Sequence, residues 1–384
     1  MNRIDDVIII GAGVIGLFCA FYLSKEKLKV RVLEKDFPGS GDTTKTGGGI
    51  RYLHGSPMNI ALSKMSHSFW TMYKDKSNKN FFQNIGHLFL TSKPEKLESF
   101  RQQVKLHKIT SFDVQTLTNA TIKEKWTDLR NISFKYGNYC ETGGYLNHFE
   151  LVKYLLKLNK SQGVKVENGA EVTDFLMDNN SIEGVKTKKN EFKGKLIVNA
   201  TGARANLINK LVAIKIPFVS RRHELLIATS KYRNKAHLPW LIDLDNQVHL
   251  RTNGKGLVLI GGFLGEDRSV DPLNFSKSPN KAWIENVLRQ AQTSFGLTQK
   301  TVTVIDSWAG LYPGTRDYLP VIERSKSGLF IAAGLSGTGL MHGPAVGKII
   351  TSLILGKSIK GIDLKELSSD RFYKEGKKKE YLGF

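Results

Sequence analysis

The chain has 384 residues, 40% of them hydrophobic, with 36 glycines and two cysteines. That length supports a large core, in two or three domains or one elaborate one. Two cysteines exclude a disulfide-framed scaffold and make a reducing, cytoplasmic setting the expectation. Basic residues exceed acidic ones by 22 charges, a field that would draw nucleic acid or anionic surfaces non-specifically. The lysines are scattered through every segment, with one modest cluster in "KEGKKKEYLGF", so a solvated basic surface is the first reading and nucleic-acid binding the alternative.

The first element, "DDVIIIGAGVIGLFCAFYL" from Asp5, has the look of a hydrophobic leader. Asp5 and Asp6 stand where a signal peptide carries positive charge, and Gly11, Gly13 and Gly16 cut the run short of membrane-spanning length. Those glycines form G-x-G-x-x-G between a buried strand and a helix. The first permits the turn, the second lets a pyrophosphate approach the backbone, and the third lets helix and strand pack closely. The helix start at Val14 and Ile15 then offers its amides to the phosphates. A second strand, "LKVRVLEK", ends in Glu34, 18 residues after Gly16, followed by Lys35. A carboxylate there accepts ribose hydroxyls and repels a 2′-phosphate. A glycine-rich turn with no ligand is the plain alternative.

The next stretch, "GSGDTTKTGGGIRYLHG" from Gly39 to Gly55, is small and hydroxyl-rich, where an NAD protein would continue with strand–helix units. Thr43 and Thr44 are placed to bind phosphate oxygens. Gly47 to Gly49 leave room for a bulky flat ring. Further on, "KLIVNATGARAN" and "GLFIAAGLSGTGLM" repeat the pattern of buried strand into glycine turn, as central parallel strands do. Between them lie "GHLFLTS", "ISFKYG" and a polar helix "KPEKLESFRQQVKLH", then alternating runs "QVHLRT", "GLVLIGG" and "KTVTVIDSW" that read as antiparallel strands. The expected division is a discontinuous nucleotide domain over 1–85, 145–215 and 325–384, with a substrate domain over 86–144 and 216–324. No integral membrane segment and no metal site are read from the chain.

The pattern G-x-T-[ST]-[RK]-[ST]-x-G-G-I-R after an N-terminal fingerprint resembles the D-amino acid oxidase superfamily, in the branch of sarcosine oxidase β subunits, glycine oxidase and dye-linked L-proline dehydrogenase β subunits. "ETGGYLNHFELVKYLL", "VKVENGAEVTDF", "LIVNATGARA", "SWAGLYPGTRDYLPVIE" and "LFIAAGLSGTGLMHGPAVGKII" resemble its later segments in order. The resemblance implies an α/β fold: a glutathione-reductase-like FAD-binding Rossmann domain with an inserted, mostly antiparallel substrate domain. It implies FAD held by Gly11, Gly13, Val14, Ile15, Gly16, Glu34, Lys35, Thr43, Thr44, Gly48, Gly49, Val172, Ala200, Gly202, Gly310, Gly337, Thr338, Gly339, Leu340 and Met341. It further implies oxidation of an amino acid or N-methyl amino acid, with hydride passing to flavin N5 and a partner subunit or external acceptor taking the electrons.

In that chemistry the protein mainly orients the substrate. Arg51 matches the position that holds the substrate carboxylate in monomeric sarcosine oxidases. Tyr312 stands where glycine oxidase places a carboxylate-binding arginine, and His249, Arg251, His342 and His54 are further candidates. The chain departs from the pattern at Gly310, where those oxidases carry a flavin-tethering cysteine, so FAD is expected to be non-covalent. It departs again at Met341 and Val258, which replace lysines. Without a cation to favour reaction with oxygen, a dehydrogenase is preferred. Alternatives within the fold are a 2-hydroxy-acid or glycerol-phosphate dehydrogenase and, given the charge, a tRNA-modifying flavoprotein.

Overall fold

A computed structural model describes residues 4–76, 82–108, 112–179, 181–229, 238–253, 256–263, 269–297 and 302–373. The C-terminal lysine cluster lies outside them.

The three strands that precede glycine turns meet at the centre of one sheet. Strand Asp5–Ile10 is parallel to Glu191–Asn199 on one side and to Val30–Leu33 on the other. Glu191–Asn199 serves two neighbours in turn. Its first half is antiparallel to Ser181–Thr187, and at Val198 and Asn199 it runs parallel to Phe330–Ala333. Ile8, Ile9, Val198 and Ile331 are fully buried, as expected of strands covered on both faces. All three therefore deliver their C-terminal turns to the same edge.

Among the described residues the second sheet has eight strands. Its neighbours are antiparallel throughout, except Trp240–Asp243 beside His87–Thr91. The runs read as alternating strands appear as Val248–Thr252, Leu257–Gly262 and Val304–Gly314. "ISFKYG" is different: its strand begins only at Tyr136, and Ile132 and Phe134 reach the core from an irregular stretch. The architecture is the expected α/β one, with a nucleotide-type sheet that is parallel at its centre and a mostly antiparallel second sheet.

Helix Val14–Lys25 packs on helix Gly339–Ile354 at glycine positions. A Cβ at Gly343 would lie 2.4 Å from the Phe18 ring, and one at Gly347 would lie 2.6 Å from the Phe18 carbonyl oxygen. This close approach holds the last glycine turn against the first. Among the described residues no helix is long and apolar enough to cross a membrane.

Candidate active site

The turn after strand Asp5–Ile10 presents backbone amides and little else. Gly11 has φ +101°, and a Cβ there would meet the Ala200 carbonyl oxygen at 2.8 Å. At Gly16 a Cβ would lie 1.9 Å from the Gly11 oxygen, so strand and helix approach this closely only through glycine. Gly13 caps the helix with extended backbone and no side-chain partner. The missing cap comes from a distant residue: the Val14 amide donates to Thr43 Oγ1 at 3.0 Å. A hydroxyl that accepts from an amide can still donate its own hydrogen to a phosphate oxygen. Thr44 does not share this role, because its hydroxyl donates to the Gly41 carbonyl at 3.4 Å.

The Glu34 carboxylate is held by two amides, Ala12 N–H on Oε2 at 2.8 Å and Asp36 N–H on Oε1 at 3.1 Å. Each oxygen keeps a lone pair for a ribose hydroxyl. From here a cavity of about 450 Å³ runs to the turn Gly334–Gly339. Of the expected cofactor residues, Gly11, Gly13, Val14, Ile15, Glu34, Lys35, Thr43, Val172, Ala200, Gly202, Gly310, Gly337, Gly339 and Leu340 line it. Gly16, Thr44, Gly48, Gly49, Thr338 and Met341 do not line it. The Thr338 hydroxyl donates to the Leu335 carbonyl at 2.7 Å, and the Met341 carbonyl accepts from Trp70 Nε1 at 2.9 Å.

The triple glycine admits a flat ring, but the ring is the protein's own. Cβ atoms at Gly47 and Gly49 would meet the Trp240 indole at 2.9 and 3.1 Å, and one at Gly48 would meet the Leu146 carbonyl oxygen at 2.3 Å. Arg251 completes this support, donating from Nε and Nη2 to the Gly47 carbonyl at 3.2 and 3.0 Å. Burial lowers its guanidinium to about 10, still charged at neutral pH.

The substrate candidates fall on two levels. Tyr312 lines the cavity, its ring pressed on Gly337, where a Cβ would approach to 2.5 Å. Burial pushes its phenol up, and the charge of Arg51 pulls it partly back. Arg51 is buried, with its guanidinium 5.8 Å from the Phe89 ring centre. Burial first, and then the Arg51 charge, push His87 and His342 down to about 3 and His54 well below its usual value. Arg51 thus sits as a cation among neutral imidazoles. His249 accepts from Trp240 Nε1 at 3.2 Å and, like His342, lies behind the cavity wall. Val258 is buried in the apolar core of the second sheet.

The lining residues that went unread in the sequence include His223 and Asp42. The His223 ring lies against Tyr312, tilted by 39° with ring centres 4.1 Å apart, and His223 pairs with Gly310 in the next strand. Only the strand pairing identifies it. Asp42 precedes the two threonines and accepts the Leu311 amide at 2.9 Å, tying the hydroxyl-rich loop to strand Val304–Gly314.

Residues 6–353 match the family described as DAO, FAD dependent oxidoreductase. The chain belongs to this family. It is an FAD-dependent oxidoreductase, and FAD is its cofactor. The chain is 23% identical to human dimethylglycine dehydrogenase over 99% of its own length, spanning 46% (about half) of that protein. It is 23% identical to sarcosine oxidase subunit beta of Rhizobium meliloti, over 91% of this chain and 84% of that one. Among solved structures, L-proline dehydrogenase from P. horikoshii superposes with a TM-score of 0.87 at 28% identity, covering 97% of this chain and 99% of that chain.

The residues present fit the cofactor. The cradle at Gly11 and Gly13 is one that a Cβ would fill, Thr43 and Glu34 offer donor and acceptor groups, and Gly202 opens the cavity with φ +59° and no neighbour within 4 Å of a Cβ. At Gly310 a Cβ would meet Lys45 Cβ at 2.6 Å, so neither residue type nor space allows a cysteine tether there.

Proposed function

We propose that this enzyme oxidises an amino acid or N-methyl amino acid of the proline, sarcosine or glycine kind, as a dehydrogenase rather than an oxidase. The observation that carries the reading is Arg51: a buried guanidinium among imidazoles kept neutral, its charge felt by Tyr312 on the cavity wall. A planar cation buried at low dielectric, though it does not itself line the cavity, is a two-pronged partner for a carboxylate. Tyr312 and His223 then form the side wall that orients the substrate, and Leu225, Phe275 and Lys277 line the same cavity.

Bound FAD, held non-covalently by Gly11, Gly13, Thr43 and Glu34, supplies the hydride acceptor at its N5. The chain's own work is to fix the carboxylate, exclude water and aim the substrate carbon. The preference for a dehydrogenase rests on Met341 and Val258, uncharged and buried where related oxidases carry lysine. The likeness to an L-proline dehydrogenase supports it, and the likeness to a sarcosine oxidase subunit supports a partner subunit as electron acceptor. The test is anaerobic mixing of the FAD-loaded enzyme with proline, sarcosine, glycine and other amino acids. Bleaching by at least one amine, with slow recolouring in air, is expected. Bleaching only by hydroxy acids would overturn the reading.

A further inference from the structure

Among the described residues four lysine and arginine side chains line the cofactor cavity: Lys35, Lys45, Arg204 and Lys277. Lys35 is paired with Asp36 at 2.7 Å. Lys277 is exposed, and its carbonyl accepts from the Ala309 amide at 2.8 Å. The stem of Lys45 faces Gly310, two residues from Tyr312. Arg204 is half-buried, and its guanidinium has no hydrogen-bond or ion-pair partner among the described residues. A guanidinium on a cavity wall with its N–H donors unspent is a place for an acceptor from outside the chain.

Two sets of contacts fix where along the cavity Arg204 stands. It ends the short turn Gly202–Arg204, which follows strand Glu191–Asn199. The residues leading into that turn lie against the first glycine turn, since a Cβ at Gly11 would meet the Ala200 carbonyl oxygen at 2.8 Å and Thr201 Cα at 3.2 Å. The turn also packs on strand Val304–Gly314, as does the short turn Asp42–Thr44, whose Asp42 carboxylate accepts the Leu311 amide of that strand at 2.9 Å. Burial raises the Asp42 carboxyl, and the Leu311 amide and then the Arg204 charge pull it partly back. Thr43, next in sequence, caps the helix at Val14. Arg204 thus stands beside the cradle formed by Gly11, Gly13 and Thr43, while Lys45 and Lys277 stand further along the same strand.

We propose that Arg204 binds the diphosphate of FAD, supplying the full positive charge that the glycine fingerprint lacks. A diphosphate received by this cradle brings two negative charges close to the Asp42 carboxyl. The first turn of helix Val14–Lys25 carries no cation, and its exposed amides offset only about half a unit charge. Arg204 makes up the difference from the second strand-to-glycine turn, so the cofactor is held by two turns that meet only in the folded chain. A planar guanidinium suits this task because it can donate to two phosphate oxygens at once. The inference needs nothing from the substrate and holds whichever amine is oxidised.

The full chain loaded with FAD tests the contact directly. In Arg204→Gln the affinity for FAD, read from flavin fluorescence on dilution, should fall about 10- to 100-fold, the weight of a charged hydrogen bond. Added salt should weaken FAD more in the wild type than in this variant, because the charge that salt screens is then missing. Phosphorus NMR of the FAD-saturated protein separates a contact from an effect on the fold: Arg204→Gln should move the diphosphate signals while the flavin absorption band stays in place. Arg204→Lys should recover most of the affinity, since a phosphate also accepts a point charge. Where Arg204→Gln holds too little FAD for NMR, Arg204→Lys decides, and a loss as large as that of the glutamine variant counts against the proposal. Unchanged FAD affinity or unmoved phosphorus signals in Arg204→Gln would overturn it. So would a shifted absorption band with fixed phosphorus signals, which puts Arg204 at the flavin ring instead.

Discussion

The guanidinium of Arg251 holds the carbonyl of Gly47 with two hydrogen bonds, at 3.0 and 3.2 Å, while it lies 3.9 Å over the ring centre of Tyr145. The loop that carries Thr43 at one end and Arg51 at the other is thus fastened to the second sheet at its middle. Arg251 is thus an anchor of the loop that carries Thr43.

Replacing Arg251 by Gln should therefore weaken FAD more than substrate. The lost charged hydrogen bonds are worth roughly 1.5–3 kcal/mol, or about 10- to 100-fold in FAD affinity. Titration of apoenzyme with FAD by flavin fluorescence measures it. A raised KM with unchanged FAD affinity would instead put Arg251 in contact with substrate.

Two glycines of the cradle should respond differently to alanine. Gly16→Ala places a methyl 1.9 Å from a backbone oxygen that cannot move aside, and should abolish FAD-loaded protein. Gly202→Ala meets no neighbour and carries only the strain of φ +59°, about 1–2 kcal/mol. Flavin content after purification and the Tm separate the two outcomes.

Arg51→Ala should keep FAD and lose reduction by substrate. A two-pronged charged contact of roughly 3 kcal/mol corresponds to about 100-fold in kcat/KM. Arg51→Lys should restore only part of it, because an ammonium is a point charge without the fork. An unchanged reductive rate in Arg51→Ala would remove it from the carboxylate site.

Acid should expose the buried pair of Asp317 and Arg371. Burial pushes the Asp317 carboxyl up, but the Arg371 guanidinium at 2.7 Å, the Thr315 hydroxyl and the Leu319 amide outweigh it and hold it below its ordinary 3.8. A carboxyl depressed by folding stabilises fully above its unfolded value and loses that contribution as pH falls through the folded one. Asp317→Asn leaves Arg371 buried and should cost about 3–5 kcal/mol at neutral pH. Urea unfolding at pH 7 and pH 3 should show the gap between variant and wild type narrowing in acid.

Much of the cofactor site was legible before the fold. Gly11, Gly13, Glu34 and the second and third strand-to-glycine turns are local features, each written within a dozen residues, and reach the cavity edge, while Gly16 does not line it. The triple glycine misled because a missing side chain says that something approaches closely, not what approaches. Here it is Trp240, nearly two hundred positions away in the chain. Thr43 and Thr44 are neighbours of one type, yet only Thr43 meets the helix that begins at Val14, 29 residues earlier.

By itself the sequence determined the family and its cofactor, because turn chemistry and strand hydrophobicity act over short stretches of chain. The tertiary structure alone decided which residues stand around Arg51. His223 faces Tyr312 through strand pairing, and Ser63 meets His342 across 279 residues. Such contacts depend on how distant elements pack, and no local pattern of residue types encodes a distance between them.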